Sequence, residues 1–506
     1  MSADAGLARQ AARAVGWGAA GSVVKLGLQF GLQIVLARLL GPEQYGLFAI
    51  GVLVVSLASF LSDFGMAYGL IQKPQVSEDD LRCVFTWQVV IGLGVALAVA
   101  LGAGSIAQAF GEPRAAGVVA ALAPGCLLNA MAAPSLNLLK RRLDFRRLQL
   151  AQLGGYAAGY LACGLPLAWA LGDVRALVVA WLVQSAVTLA GLYRAVRHPL
   201  RPLWNTPDRP VMLSTGLTVM ATNLLNWLLQ NVDRAVVAQR YAARSVGGYS
   251  AAFNLVYTPT TTLLGVLQPV LHAAGGRLER QDGEPLARVY RAVLLGVSVL
   301  LAPLYAAAAV LAGPIIALLY GPAWQEAASL LAPFALAMPA FLVWGLSTPV
   351  LWAAGRARQE FRSQLPVLLL WLLVCAAASR GPVIGVAWSV AGLFIVRAAT
   401  MVVQVARALA MPGAALRAVL LPGLVAAAAV ALACLALSSA ARALGLSEAA
   451  LAVPALLLGW ACGLLPVLAW LKIPRDLLPL LQPLRQRLPG VLQRARPWHD
   501  APAGAR

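Results

Sequence analysis

Apolar runs of about twenty residues follow one another along nearly the whole chain, each cut off by a charged or Pro/Gly-rich break. As a helix, a run of that length crosses the roughly 30 Å hydrocarbon core of a bilayer. Fourteen such runs lie near residues 16–37, 45–71, 83–107, 115–139, 150–171, 174–193, 213–233, 246–271, 289–312, 327–353, 362–379, 382–406, 414–438 and 448–471. Only 11% of the 506 residues are charged and 60% are hydrophobic, with a mean hydropathy of +0.78. A water-soluble domain carries about 25% charged residues, so this chain lacks the polar surface to cover one. The runs are rich in Ala, Leu and Val and show no short alternating segments of the outer-membrane barrel kind. The expected fold is an all-α integral membrane protein of about fourteen transmembrane helices.

The net charge of +20 does not gather into one patch. It sits in short breaks between spans, which reads as membrane topology and not as nucleic-acid recognition. With the N-terminus inside, the inner loops carry Lys73, Arg82, the run KRRLDFRR (140–147), Arg194, Arg197, Arg201, Arg209, Arg277, Arg280, Arg288, Arg291, Arg356, Arg358, Arg362, Arg407 and Arg417. The outer loops hold Arg38, Arg114, Arg175, Arg234, Arg240, Arg244, Arg380 and Arg442. The bias alternates with successive spans and predicts both termini on the cytoplasmic side. The first residues, MSADAGLARQAARAVGW, lack a signal peptide's apolar core, and Arg9 and Arg13 read as a cytoplasmic lead-in. The tail from Lys472 mixes Leu and Arg with Pro474, Pro479, Pro483 and Pro489, so it reads as a basic segment on the anionic inner face or as a disordered basic tail. The six cysteines stand singly and His occurs only at 198, 272 and 499, which argues against a metal site or a disulfide framework, and no cofactor is expected.

A parallel internal repeat is expected. ARLLGPEQYGLFAI from Ala37 aligns with QRYAARSVGGYSAAF from Gln239 at one offset, setting Arg38 on Arg240 and Gly46 on Gly248. Residues 1–196 then form an N-terminal lobe of six spans and residues 213–410 a C-terminal lobe of six. The Pro-rich basic connector 197–212 joins them, residues 411–471 add two further spans, and residues 472–506 are the tail.

Polar groups inside the spans are the candidate functional residues, because lipid cannot hydrogen-bond them. Ser22, Lys25, Gln29 and Gln33 share one helix face in span 1; Asn223, Asn226, Gln230 and Asp233 do so in span 7. These stripes either line a cavity between the lobes or tie helices together within each lobe. Lys25 lies roughly 20 Å below the outer end of its span, and Asp63 roughly 27 Å below the outer end of span 2. They are expected to pair directly or through water; alternatively Asp63 lies nearer the inner headgroups, with Gly65 and Gly69 allowing a bend. Arg397 lies roughly 15 Å from the inner surface, too deep to snorkel with ease, and a guanidinium there suits a phosphate or carboxylate. Asp233 and Arg234 form an outer gate or cap the helix. Asp63 and Asp233 are the acids expected within spans. No phosphate-binding loop, metal triad or activated nucleophile is present, so a transporter is expected and not an enzyme.

The stretches ARLLGPEQYGLFAI and FLSDFGMAYGLIQKPQVSEDDLRCVF resemble the first two spans and first cytoplasmic loop of bacterial oligosaccharide flippases. These belong to the multidrug/oligosaccharidyl-lipid/polysaccharide exporter superfamily. The resemblance recurs at QNVDRAVVAQRYAARSVGGYSAAFNLVYTP, where Asn231, Asp233, Gly248, Tyr249, Asn254 and Pro259 fit the pattern, and at YGPAWQEAASLLAPFALA and LWAAGRARQEF. It covers most of residues 15–410, with departures at Gln239, where Gly is common, and in a tail richer in Pro and Arg. It implies a V-shaped, fourteen-helix fold with two six-helix lobes around a central cavity. It also implies alternating access for a polyprenyl-pyrophosphate-linked oligosaccharide, moved to the outer leaflet of a bacterial inner membrane for exopolysaccharide, capsule or O-antigen-type polymers. Membrane lipids are expected around it, and a polysaccharide polymerase and chain-length regulator are expected partners. On chemical grounds Lys25 and Arg397 suit the pyrophosphate, and the Gln and Asn stripes suit sugar hydroxyls. A cation-coupled drug antiporter of the same superfamily is the first alternative. A membrane polysaccharide polymerase or ligase is the second, disfavoured by the short outer loops.

Overall fold

The computed structural model describes residues 2–63, 67, 70, 76–207, 209–278, 284–445, 448–470 and 477. Among these there is no β-strand, and each of the fourteen expected spans falls on helix. Nine helices among the described residues are long and apolar enough to cross a membrane. The chain divides into two compact units, Met1–Ala251 and Ala252–Arg506.

In the first unit, α1 (Ser2–Asp63) carries the first two expected spans and is broken at Gly41, whose φ of 75° a side chain would resist. Pro42 follows at the start of the second arm, where its missing N–H costs nothing. The sequence SEDD then starts α2 (Glu78–Ala109) with a capping box: Ser77 Oγ accepts from the Asp80 N–H at 3.1 Å, and Asp80 Oδ2 accepts from the Ser77 N–H at 2.9 Å. Pro124 divides the next expected span into α3 (Ala115–Leu122) and α4 (Pro124–Arg141). Asp144 caps α5 (Phe145–Tyr156), which runs through a π-helical stretch, Ala157–Gly164, into α6 (Leu165–Leu171). The helices α7 (Arg175–Ala195) and α8 (Arg209–Arg240) complete the unit, with the start of α9 (Ala243–Leu278).

The connector between α7 and α8 is strapped onto α2. Thr86 Oγ1 accepts from the Leu203 N–H at 2.9 Å, Trp87 Nε1 donates to the Trp204 carbonyl at 3.1 Å, and Arg209 lies over the Trp87 ring at 4.6 Å. His198 is buried against the rings of Phe85 and Tyr193, and burial holds its imidazole below the usual histidine range. At the other end of the unit the break in α1 crosses the start of α9 with almost no space. A Cβ on Gly46 would lie 1.7 Å from the Ala243 carbonyl oxygen, and one on Gly247 would lie 1.9 Å from that of Pro42. Nearby, Arg114 bridges Glu112 and Glu43, and its hydrogen bonds hold the Glu112 carboxyl below the usual range.

In the second unit, α10 (Glu284–Val310) and the short α11 (Ala312–Leu319) precede a 3-10 turn at Pro322–Trp324. The helices α12 (Gln325–Ala353), α13 (Ala357–Ala378), α14 (Val383–Ala408), α15 (Gly413–Ala443) and α16 (Glu448–Trp470) follow. The core forms on α12, where Phe334, Met338, Leu342, Leu346 and Val350, four residues apart, are fully buried against α10 and α14. Large apolar side chains elsewhere face outward, among them Leu369, Leu373, Leu424 and Leu432. That is the surface a chain presents when its solvent is hydrocarbon.

Candidate functional site

The first unit holds the polar stripe of α1. Lys25 is half-buried, and its Nζ donates to Gln152 Oε1 of α5 at 3.0 Å. One turn earlier, Gly21 packs against the Gln149 side chain, so this face of α1 meets the glutamines of α5. Ser22 and Gln29 are also half-buried, and Gln33 Nε2 donates to the Tyr45 hydroxyl at 3.0 Å. The expected Lys25–Asp63 pair falls outside the described residues, because the Asp63 side chain is not among them, nor are Gly65 and Gly69. The basic tail from Lys472 lies outside them too, apart from Leu477.

On α8, Asn223 and Gln230 are half-buried and Asn226 is exposed. The second arm of α1 is tied to α8 by Trp227 Nε1, which donates to Ser56 Oγ at 3.1 Å. Asp233 does not cap a helix end. The helix continues to Arg240, because the apolar pattern persists through Val236 and Val237, and the carboxylate lies 1% exposed inside the unit. The Tyr249 hydroxyl of α9 donates to Asp233 Oδ2 at 2.7 Å, Oδ1 is buried without a hydrogen-bond partner among the described residues, and Arg234 is half-buried beside it.

The second unit holds Arg397. The buried face of α14 runs through Val390, Phe394, Arg397, Met401 and Gln404, so helical spacing alone carries the guanidinium inward, to 1% exposure. It lies over the Trp344 ring of α12, 3.8 Å from the centroid, and neither Nε nor Nη1 has a hydrogen-bond partner. An arginine keeps its proton in a protein, so this is a buried cation with an aromatic face for company and, among the described residues, no direct ion pair.

A second buried charge near Arg397, Glu360, lies outside the sequence-derived candidates. Gly355, at φ 71°, turns the chain so that the first turn of α13 returns along the end of α12. Glu360 is thereby 8% exposed; Thr348 Oγ1 donates to its Oε1 at 2.8 Å and Trp352 Nε1 donates to its Oε2. Trp344, Thr348 and Trp352 stand four residues apart on one face of α12. That single face therefore carries the ring under Arg397 and the clamp on Glu360. Glu360 and the equally buried Gln364 are four residues apart, a polar face on a helix that starts at Ala357, five residues before the expected span. Among the described residues no cluster of side chains could hold a metal ion.

Comparison with known proteins gives concordant results. The family described as polysaccharide biosynthesis protein matches residues 35–329. The lipopolysaccharide biosynthesis protein WzxC of Escherichia coli is 26% identical over 61% of this chain, and the match spans 63% of that relative's length. The succinoglycan biosynthesis transport protein ExoT of Rhizobium meliloti is 25% identical over 74% of each chain. In fold, the chain is similar to the lipid II flippase MurJ in an inward closed conformation, with a TM-score of 0.73 over 88% of this chain and 97% of that one at 14% identity. It is also similar to a multidrug resistance transporter of the MATE family, of the MOP superfamily, in an inward-facing conformation. There the TM-score is 0.56 over 76% of this chain and 95% of that one at 15% identity.

Proposed function

Because this chain belongs to the polysaccharide biosynthesis protein family, we propose that it is a flippase for a polyprenyl-pyrophosphate-linked oligosaccharide. It moves the repeat unit from the inner to the outer leaflet of a bacterial cytoplasmic membrane by alternating access, with both termini cytoplasmic. It does so without catalysing a reaction on the sugar, and it hands the unit to a polymerase. Names of relatives that speak of lipopolysaccharide biosynthesis and succinoglycan transport support this reading.

The observation that carries it is the buried, unpaired guanidinium of Arg397. An obligate cation removed from water is costly unless something anionic meets it, and a diphosphate is matched to its planar donors. Lys25 gives the first unit a cation at membrane depth, and it can be solvated by Gln152 when no anion is bound. The amides of α1 and α8 offer donors and acceptors suited to sugar hydroxyls.

A drug antiporter is the second reading, favoured by two buried carboxylates, Asp233 and Glu360, either of which suits a coupling cation. Deletion of the gene in its native bacterium separates the two. The flippase reading expects lipid-linked repeat units to accumulate on the cytoplasmic leaflet, with rescue by the wild-type gene and not by Arg397→Gln. Drug sensitivity with normal lipid-linked intermediates would overturn it.

A further inference from the structure

Arg397 and Glu360 are opposite charges buried in one unit, on helices that pack together, and yet the contacts among the described residues give each a different partner. Both oxygens of Glu360 are taken instead by the neutral donors Thr348 and Trp352. Among the described residues, the charged group acting on Glu360 from the helices against α13 is Arg397 of α14, and the hydrogen bonds from α12 come from two neutral donors. Arg397 in turn lies near Glu360 and Tyr257 of α9. The aromatic run Tyr257–Phe341–Trp344, with ring centroids 5.3 Å apart at each step, walls the guanidinium on that side.

We propose that Glu360 is an internal competitor for Arg397: a carboxylate held back by the clamp of Thr348 and Trp352, which an anionic ligand at Arg397 must outcompete. The proposal rests on the reading that Arg397 receives the anionic part of the substrate, and it adds what sets the strength of that binding. The clamp leaves the guanidinium without a carboxylate partner. Were Glu360 free to swing onto it, the buried pair would close the site, since the two would satisfy each other in low dielectric. When an anion is bound, the nearby carboxylate repels it. Binding is therefore made weak enough to release the ligand, as a transporter requires.

Three variants in lipid nanodiscs test this, with inorganic pyrophosphate as the probe and its Kd as the readout. Glu360→Gln removes the competing charge and is expected to tighten binding about tenfold, the size of one partly screened charge–charge term. Thr348→Val keeps the shape of the side chain but removes half of the clamp; it is expected to weaken binding several-fold by freeing Glu360 for Arg397. The double variant Thr348→Val/Glu360→Gln is expected to regain the tight binding of Glu360→Gln, which a merely structural role for Thr348 would not produce. Arg397→Gln is the control for the underlying reading and is expected to abolish binding. If Arg397→Gln abolishes binding but Glu360→Gln leaves it unchanged or weaker, the competition is overturned and the anion site stands. If Arg397→Gln changes nothing, the anion site is overturned, and the competition with it. Should Glu360→Gln fail to fold, an unchanged Kd for Thr348→Val alone would overturn the competition.

Discussion

The Arg397 guanidinium lies 3.8 Å from the centroid of the Trp344 ring and makes no hydrogen bond through Nε or Nη1. A buried charge kept in this way is a liability for folding, so its worth has to lie elsewhere. Arg397→Met is therefore expected to leave the melting temperature in nanodiscs unchanged or to raise it, while abolishing complementation of a deletion strain. A melting temperature lowered in step with activity would instead mark Arg397 as a structural residue.

Lys25 is held by one neutral partner, Gln152. Lys25→Met is expected to remove transport in the complementation assay. Gln152→Leu is expected to be milder, since it withdraws a hydrogen-bond acceptor but leaves the cation. Equal loss in the two variants would show that the pair acts only as a tie between α1 and α5.

The crossing of Gly46 and Gly247 leaves no room for a methyl group, and the obstruction is backbone, which cannot rotate away. Gly46→Ala is expected to cost about 1–3 kcal/mol of unfolding free energy, the usual range for overpacking. Gly46→Ala/Gly247→Ala should cost less than the sum of the single changes, because each already forces the same two segments apart. Additive losses would mean that the segments are not in contact.

The imidazole of His198, on the strap over α2, is held below its ordinary range by burial between Phe85 and Tyr193. A histidine that is harder to protonate when folded favours the folded strap above its unfolded pKa of about 6.5 and loses that advantage as the pH falls below it. Amide exchange of residues 198–207 is expected to accelerate relative to the rest of the chain between about pH 6.5 and pH 5, and His198→Phe should remove that extra dependence. Identical profiles for the two proteins would exclude the histidine as the cause.

Much of this protein is legible in its amino-acid sequence. Breaks at Gly41 and Ser77 fall between expected spans, at a glycine and a capping box, whereas Pro124 interrupts a stretch that hydropathy alone reads as one span. Local backbone chemistry fixes such points without help from distant residues. Asp233 was placed too near a helix end, because the charge pair at 233–234 resembles a boundary when only hydropathy is read. Glu360 falls between the expected spans for the same reason, with arginines on both sides of it.

By itself the amino-acid sequence determined that the chain is helical and apolar enough to sit in a membrane, and which helix faces carry its polar groups. These follow from the length and periodicity of apolar runs and from the cost of an unpaired peptide group in lipid. Which polar groups meet was decided only by tertiary structure. Lys25 found Gln152 at a distance of 127 residues, and Glu360 found Thr348 and Trp352 across a tight turn, while Arg397 was left with a ring face. Hydropathy places a side chain at a depth and on a face, but a partner depends on which helix packs against that face, and that is set by side-chain fit along the whole contact.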